Sequence, residues 1–330
     1  MKVSVIGAGS WGTVLANLLA EKGYQVQLWV RETELLEIMQ AQRKNTWFLP
    51  HTELNPGLEL TGSLHEIFPD AAFVLFAVPC QYFRAVLKKL KACLSPGSTV
   101  VCASKGIEVE NLKTMSQVVQ DELYSLQPEY ACLSGPSFAN EVSWGMPTAV
   151  SLGCSRVELG GWLQHVLSTD TFRVYSNPDF LGVELGGALK NVIALAAGIV
   201  DGLGFGTGAR AALITRGLAE MSRMGIAMGA RHETFTGLSG LGDLVLTCTG
   251  DLSRNRQVGL SLGQGHTLQD IMQNMSMVAE GVSTTQALHR LGAQMGVELP
   301  ITEQVQQILY QDKPPAQAVR ELMQRELKQE

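Results

Sequence analysis

The chain has 330 residues, with 25 Lys or Arg against 31 Asp or Glu, and a formal net charge of −6. This length allows two domains, and a mildly acidic chain without long runs of one charge does not favour a nucleic-acid-binding or anionic-membrane surface. The six cysteines form no Cys-x-x-Cys pair and lie mostly in apolar runs. They are predicted to be reduced and structural, and no metal site is expected.

The start of the chain has no targeting pattern. Met1 is followed directly by the strand-like segment KVSVIG, without a basic leader or an apolar signal segment. No apolar run approaches the roughly 18 to 20 residues needed to span a bilayer. A cytoplasmic protein without an integral membrane segment is therefore expected.

The first half of the sequence alternates strand and helix patterns. Strands are predicted at 2–7, 25–30, 73–78, 98–104, 130–135, 148–153 and 172–176, with a helix at 10–23 between the first two. Strands separated by helical stretches imply right-handed crossovers. The pattern predicts an α/β Rossmann-type, doubly wound, mostly parallel sheet in a dinucleotide-binding domain at residues 1–178.

After residue 178 the strand patterns end. Helical periodicity predicts helices at 179–200, about 207–229, 254–264, 267–274, 280–293, 301–310 and 314–327. These elements predict an all-α C-terminal domain at residues 179–330 that binds the substrate. The crevice between two such domains is the natural place for a reaction.

The segment GAGSWG, residues 7–12, has the G-x-G-x-x-G spacing of a dinucleotide-binding turn. It follows a predicted strand and opens a predicted helix, which is the context that this motif requires. Gly7 allows the tight turn, Gly9 lets the backbone approach a pyrophosphate, and Gly12 permits close packing of the helix on the strand. Dinucleotide binding is therefore predicted.

The end of the second strand indicates which dinucleotide is used. The segment LWVRET places Arg31 first and Glu32 second. An arginine can pair with the extra phosphate of NADP, whereas an acidic residue accepts the ribose hydroxyls of NAD. The order favours NADPH, Glu32 leaves NADH open, and Arg31 as a solvated loop residue stays an alternative.

Polar residues also follow two later strands. Lys105 comes directly after one strand, and the turn with Gly135 and Ser137 comes after the next. Open α/β sheets bind their ligands at the carboxyl ends of the strands. Both segments are candidates for ligand contact, although ordinary surface loops would have the same composition.

A second polar cluster lies at residues 237–259. Asp243 stands among glycines, and Ser253, Arg254 and Asn255 stand where a helix is predicted to begin. Backbone donors and a guanidinium group suit a phosphate dianion, but a plain N-cap at Ser253 is also compatible. Glu280 lies in the first turn of a later helix, which by itself is ordinary capping chemistry.

Lys190 is the only charged residue between Glu184 and Asp201. Its stem could lie on apolar surface while its ammonium reaches water. Alternatively, it could be a desolvated lysine that transfers a proton. On a helix its side chain leans toward Gly186 and Gly187, and two residues without side chains would leave room for a ligand, which favours the second interpretation.

Seven segments in chain order, GAGSWG, ASKGIE, SGPSFANE, GGALKNVIALAAG, GLGDLVLTCTG, SRNR and VAEG, together resemble the bacterial NAD(P)-dependent glycerol-3-phosphate dehydrogenases. The resemblance covers essentially the whole chain. It implies reduction of dihydroxyacetone phosphate to sn-glycerol 3-phosphate, and the reverse oxidation, with NADP (NADPH) or NAD as the cofactor. It also implies a role in supplying the glycerophospholipid backbone.

The resemblance implies roles for individual residues as well. Lys190, Lys105 and Asp243 are implied as catalytic residues, with Lys190 as the proton donor and acceptor and Lys105 as a cation that polarises the carbonyl oxygen. Dinucleotide contacts are implied at Ser10, Trp11, Arg31, Lys105, Ala139, Arg254, Val278 and Glu280. Substrate contacts are implied at Lys105, Gly135, Ser137, Lys190, Asp243, Ser253, Arg254 and Asn255.

Two other functions share parts of this layout. One is a two-domain dehydrogenase of the 3-hydroxyacid or 6-phosphogluconate type, which lacks the SRNR and GLGDL segments. The other is a non-catalytic dinucleotide-sensing protein, which would not need Lys105, Lys190 and Asp243 together. A homodimer is one assembly that the sequence leaves open.

Overall fold

The computed structural model describes residues 1–273, 275 and 278–327. Backbone contacts divide the chain into two units. The first contains residues 1–105 and 113–184, and the second contains residues 106–112 and 185–330. The sequence-based domain boundary between residues 178 and 179 stays a prediction.

The first unit contains an eight-stranded sheet with the order β10-β9-β8-β7-β6-β1-β2-β5. Neighbouring strands are parallel except for the antiparallel pair β8 and β9. The mostly parallel, doubly wound sheet predicted from sequence is thus confirmed. Its strands are β1 Lys2–Ile6, β2 Gln25–Trp29, β5 Leu58–Thr61, β6 Phe73–Phe76, β7 Thr99–Cys102, β8 Glu129–Ser134, β9 Thr148–Gly153 and β10 Phe172–Asn177.

Helices cover both faces of this sheet. They are α1 Ser10–Glu21, α2 Thr33–Gln42, α3 Cys80–Leu90, α4 Met115–Leu123, α5 Ala139–Ser143, α6 Val157–Leu167 and the first residues of α7 Phe180–Gly202. Alternate residues of β1 point to opposite sides, so Val3 and Val5 join a core that includes Leu19 of α1, while Ile6 joins a core that includes Phe83 of α3. Both faces of the sheet are therefore buried, as a parallel sheet requires.

Some elements of the first unit were not predicted. The strand β5 and a small hairpin of β3 Lys44–Asn45 and β4 Leu49–Glu53 had no predicted counterpart, and the helices α2 to α6 had been expected only as unbounded helical stretches between strands. The exposed residues of β4 and its short partner give no apolar alternation that a sequence pattern could detect.

The regular elements described in the second unit are helical. They are the main part of α7, then α8 Gly206–Ala227, α9 His232–Phe235, a π-helical turn at Leu238–Gly242, α10 Asp243–Thr249, α11 Arg254–Gly263, α12 Leu268–Gln273, α13 Glu280–Met295, α14 Pro300–Tyr310 and α15 Pro315–Met323. The predicted all-α character is confirmed, although α9, the π-helical turn and α10 were missed. Residue 274, the last of one predicted helix, lies outside the described residues.

Helix α7 forms the centre of the helical core. It is long and apolar enough to cross a membrane, with a mean hydropathy of 1.6 over its most apolar window, but that window is completely buried inside the protein. The expectation that no segment approaches the length of a membrane span was therefore wrong for α7. Its burial identifies it as a core helix.

Candidate active site

The glycine-rich turn after β1 forms a cradle at the start of α1. Gly7 has a φ of +111°, and a Cβ atom there would lie 2.8 Å from Ala77 O. A Cβ atom at Gly12 would lie 1.9 Å from Gly7 O, whereas one at Gly9 would meet no atom within 4 Å. Gly9 is the N-cap of α1 and provides no side-chain cap. The open, positively polarised helix end fits a pyrophosphate group.

Ser10 and Trp11 follow this turn. The Ser10 hydroxyl donates to Phe48 O at 2.7 Å. The Trp11 ring packs 6.2 Å from the ring of Phe172, and its buried indole N–H has no hydrogen-bond partner among the described residues. Because a buried indole donor normally finds a partner, this N–H is available to a bound ligand.

Arg31 lies two residues beyond the end of β2. Its Nε donates to Glu32 Oε1 at 2.7 Å, and its guanidinium carbon lies 5.9 Å from the ring centroid of Tyr82. The Arg31 side chain is nevertheless 63% exposed. The guanidinium is thus held in place by two neighbours and remains accessible to an anion.

The two loops after β7 and β8 meet at Gly135. Lys105 Nζ donates to Gly135 O at 3.3 Å, and the Ser137 hydroxyl donates to the same oxygen at 3.1 Å. Gly135 has a φ of +149°, and a Cβ atom there would lie 2.8 Å from Val150 Cα, so a larger residue would not fit. Ala139 begins the short helix α5 in the same loop.

Lys190 and Asp243 form a buried ion pair in the second unit. Lys190 Nζ donates to Asp243 Oδ1 at 2.5 Å and to Thr247 Oγ1 at 2.7 Å. The Thr247 hydroxyl donates to Asp243 O at 2.6 Å, which joins the first and fifth residues of α10. Lys190 is only 7% exposed, so its ammonium does not reach water as a surface lysine would.

The space beside Gly186 is not free for a ligand. A Cβ atom there would lie 2.5 Å from Ser239 O in the π-helical turn. The interpretation of Gly186 as clearance for a ligand is therefore wrong. This glycine instead lets the π-helical turn approach α7, and that turn leads directly into Asp243, the partner of Lys190.

The first turn of α11 is fastened to its neighbours by side chains. The Ser253 hydroxyl caps the helix by accepting from Arg256 N at 3.2 Å. Asn255 Nδ2 donates to Asn191 Oδ1 at 2.9 Å, and Asn255 Oδ1 accepts from Gly281 N at 2.9 Å. Ser253 is thus an N-cap, as the simpler interpretation held, and the neighbouring residues are held in fixed positions.

Arg254 lies beside the start of α13. Its Nη1 donates to Val278 O at 2.9 Å. Desolvation by the surrounding chain lowers the pKa of Arg254, while the negative charge of Glu280 opposes this shift. The structure therefore places these three predicted site residues together.

Buried thiols do not add reactive groups. All six cysteines are free. Burial raises the pKa of Cys102 and of Cys248 to about 12. Because the thiolate is the reactive form, these two cysteines are inert near neutral pH.

Comparison with known proteins decides the family. Residues 2–159 match the family model for the N-terminus of NAD-dependent glycerol-3-phosphate dehydrogenase, and residues 179–320 match the model for its C-terminus. The chain belongs to the glycerol-3-phosphate dehydrogenase family. The resemblance inferred from the sequence motifs is thereby confirmed.

Relatives and a solved structure agree over the full length. The chain is 56% identical to glycerol-3-phosphate dehydrogenase [NAD(P)+] of Solidesulfovibrio magneticus, with 100% of each chain covered. It is also 56% identical to the Geobacter sulfurreducens protein of the same name, covering 100% of this chain and 98% of the relative. The crystal structure of glycerol-3-phosphate dehydrogenase from Coxiella burnetii is 41% identical, with a TM-score of 0.95 and coverage of 98% and 99%.

Membership of the glycerol-3-phosphate dehydrogenase family makes this chain an NAD(P)-dependent oxidoreductase. Family membership distinguishes the chain from dehydrogenases of the 3-hydroxyacid and 6-phosphogluconate types and from a non-catalytic dinucleotide-sensing protein. The glycine cradle at α1 is the part of the fold that suits the dinucleotide of this family.

Sequence reasoning missed three polar residues of the dehydrogenase site region. Thr247 contacts Lys190, Asn191 contacts Asn255, and Asp201 pairs with Arg256. Thr247 lies four residues after Asp243, so helical periodicity could have placed both side chains on one face once α10 was recognised. No local pattern identifies Asn191 or Asp201, because their partners are distant in the sequence.

Proposed function

We propose that this protein catalyses the reversible, NAD(P)H-dependent reduction of dihydroxyacetone phosphate to sn-glycerol 3-phosphate. The observation that carries the proposal is the buried Lys190–Asp243 pair in a chain whose full-length relatives have this enzyme name. The product supplies the backbone of glycerophospholipids. A cytoplasmic location is proposed on the same basis.

Lys190 is the proposed acid in the reduction and the base in the oxidation. Reduction adds a hydride to the C2 carbonyl carbon and a proton to its oxygen, and a bound NADPH or NADH supplies the hydride. The ammonium of Lys190 donates the proton, and Asp243 and Thr247 hold its Nζ in position through the two short hydrogen bonds. In the oxidation the neutral amine removes the hydroxyl proton.

Lys105 is the proposed second cation of the reaction. Its charge polarises the carbonyl oxygen and stabilises the developing alkoxide. The contact from Lys105 Nζ to Gly135 O supports a fixed position for this charge, and the same oxygen holds Ser137. Gly135 and Ser137 are proposed as substrate contacts.

The phosphate of the substrate is proposed to bind at the start of α11. Ser253, Arg254 and Asn255 lie in or next to its first turn, where backbone N–H groups and a guanidinium suit a dianion. Anchoring the phosphate away from the reacting carbon holds C2 in place and lowers the entropic cost of reaching the transition state.

The dinucleotide is proposed to bind at the glycine cradle of α1. Gly7, Gly9 and Gly12 shape the cradle, and further contacts are proposed at Ser10, Trp11, Arg31, Lys105, Ala139, Arg254, Val278 and Glu280. The accessible guanidinium of Arg31 favours NADPH over NADH through the additional phosphate. A homodimer stays a prediction that light scattering on the purified protein checks.

A spectrophotometric assay tests the proposed function. Absorbance of the reduced nicotinamide is followed with dihydroxyacetone phosphate and either NADPH or NADH. Rapid oxidation with dihydroxyacetone phosphate, and little with unphosphorylated dihydroxyacetone, is expected. Turnover of 6-phosphogluconate or a 3-hydroxyacid in the reverse direction, without turnover of sn-glycerol 3-phosphate, contradicts the proposal.

A further inference from the structure

Helices α7 and α11 touch through their backbones. A Cβ atom at Gly198 would lie 2.0 Å from Arg256 O, and one at Gly202 would lie 2.3 Å from Leu260 O. No side-chain layer separates the helices along this contact. A small displacement of one helix is therefore transmitted directly to the other, because close-packed backbones cannot absorb it.

Asp201 lies next to the last residue of α7 and is the centre of an ion-pair cluster. Arg256 approaches Asp201 Oδ2 with Nε at 2.9 Å and Nη2 at 2.7 Å, while Arg210 Nη1 lies 3.0 Å from both carboxylate oxygens. The side chains of Asp201 and Arg256 are only 11% and 13% exposed. Charge-assisted contacts at such a degree of burial are stronger and more fixed than surface pairs.

Arg256 connects this cluster to the proposed phosphate anchor. Its backbone N–H donates to the Ser253 hydroxyl, and it follows Arg254 and Asn255 on the first turn of α11. Asn255 is bound to Asn191 of α7. The first turn of α11 is thus bound to α7 at two points, Asn191, which follows Lys190, and Asp201, near the end of α7.

We propose that Asp201 and Arg256 are positioning residues for the substrate phosphate. Their ion pair fixes the first turn of α11 on α7, so that Ser253, Arg254 and Asn255 keep the arrangement that binds the dianion. Neither Asp201 nor Arg256 touches the substrate in this proposal. The inference rests on the proposed function, because it assigns a purpose to the anchor named there.

A purely structural role of the Asp201–Arg256 ion pair would lead to a different experimental result. If the pair only held α7 against α11, its loss would lower the thermal midpoint without changing the Michaelis constant for dihydroxyacetone phosphate. Arg210 supplies a matched control, because it binds the same carboxylate from α8 and does not belong to α11. Arg210→Gln removes a charge partner of Asp201 and leaves the contact to Arg256.

The test compares Arg256→Gln, Arg256→Lys and Arg210→Gln in the full chain. Arg256→Gln is expected to raise the Michaelis constant for dihydroxyacetone phosphate about tenfold or more, while that for NADPH changes less than about twofold. Arg256→Lys should recover part of this loss because it restores the charge without the planar group. Arg210→Gln should stay near wild type in both constants.

Binding of inorganic phosphate gives a readout that does not depend on turnover. Phosphate should raise the thermal midpoint of wild type and of Arg210→Gln, and this rise should be smaller in Arg256→Gln. Should Arg256→Gln fail to fold, Asp201→Asn keeps the shape of the carboxylate and is measured instead.

An unchanged Michaelis constant for dihydroxyacetone phosphate in a folded Arg256→Gln or Asp201→Asn variant overturns the inference. An equal rise of this Michaelis constant in Arg210→Gln also overturns the inference, because the effect would then not depend on α11. Failure of the proposed function is distinguishable, since wild-type protein would then not reduce dihydroxyacetone phosphate at all.

Discussion

Lys190 Nζ lies 2.5 Å from Asp243 Oδ1, and the two side chains expose only 8% and 1% of their surfaces. Removing one member of such a pair leaves the other charge buried without compensation, which destabilises a protein by about 3 to 5 kcal/mol. A substitution at Lys190 therefore changes both the proposed proton transfer and the stability. The two effects must be separated experimentally.

The first prediction concerns turnover by Lys190→Met. General acid catalysis contributes about 100- to 10,000-fold, so kcat should fall at least about a hundredfold. NADPH binding, followed by titration calorimetry, should persist because the glycine cradle lies in the other unit.

The double variant Lys190→Met/Asp243→Asn is the control for stability. It removes both charges, so its urea midpoint should recover relative to Lys190→Met while kcat stays low. Near-normal turnover in either variant would contradict the catalytic assignment of Lys190.

The second prediction concerns the cofactor preference. Arg31→Ala removes the exposed guanidinium at the end of β2. It should raise the Michaelis constant for NADPH much more than that for NADH, because only NADPH carries the additional phosphate. Equal effects on the two cofactors, measured in parallel steady-state assays, would exclude a phosphate contact at Arg31.

The third prediction concerns the substrate phosphate. Arg254→Ala should lose on the order of 2 to 4 kcal/mol of transition-state stabilisation in kcat/KM for dihydroxyacetone phosphate. Arg254→Lys should recover only part of this, since an ammonium lacks the planar fork of a guanidinium. With unphosphorylated dihydroxyacetone, kcat/KM should differ little between wild type and Arg254→Ala. A loss of the same size with this substrate would contradict a contact between Arg254 and the substrate phosphate.

The fourth prediction concerns pH and Glu220. This carboxylate of α8 is 3% exposed and accepts from Ile301 N at 2.5 Å and Thr302 N at 3.2 Å at the start of α14. Burial raises the pKa of Glu220 from 4.5 to about 7, although the N–H donors of α14 lower it in part. Glu220 thus holds its proton in the folded state at pH values where the unfolded chain releases it.

The free energy of unfolding should therefore fall as the pH rises from about 4.5 to about 7, by up to about 3 kcal/mol from this group. Urea unfolding at pH 5 and pH 8 measures the difference. Glu220→Gln should remove most of it, whereas Glu303→Gln, an exposed position on α14, should leave it unchanged. The same pH dependence in wild type and Glu220→Gln would identify another group as its source.

The sequence predicted the sheet better than the helical site. A buried parallel strand such as β6, with the sequence FVLF, is a continuous apolar run, so its position follows from composition alone. The segment around Asp243 contains several glycines and was interpreted as a polar cluster, yet it forms the π-helical turn and α10. Tertiary packing against α7 stabilises these elements, and local propensity does not contain that information.

The residue types of the site could be predicted from the sequence, but the contacts between these residues could not. Lys190 stood out as a lone charge, but its contact with Thr247 depends on how α10 packs against α7. Gly186 is an example, because the space beside a glycine can be occupied by a ligand or by the backbone of a neighbouring element. The sequence does not distinguish these two cases, whereas the structure shows backbone at this position. The ion pair of Asp201 and Arg256 joins residues far apart in the chain and leaves no periodic signal.

The apolar character of α7 also has a consequence during synthesis. This helix leaves the ribosome before α11, the helix whose backbone it contacts, has been made. Until then the nascent chain presents a segment that is long and apolar enough to resemble a membrane anchor. Such exposed apolar segments promote aggregation, so we expect fragments truncated before α11 to bind chaperones or precipitate when expressed, while the complete chain folds.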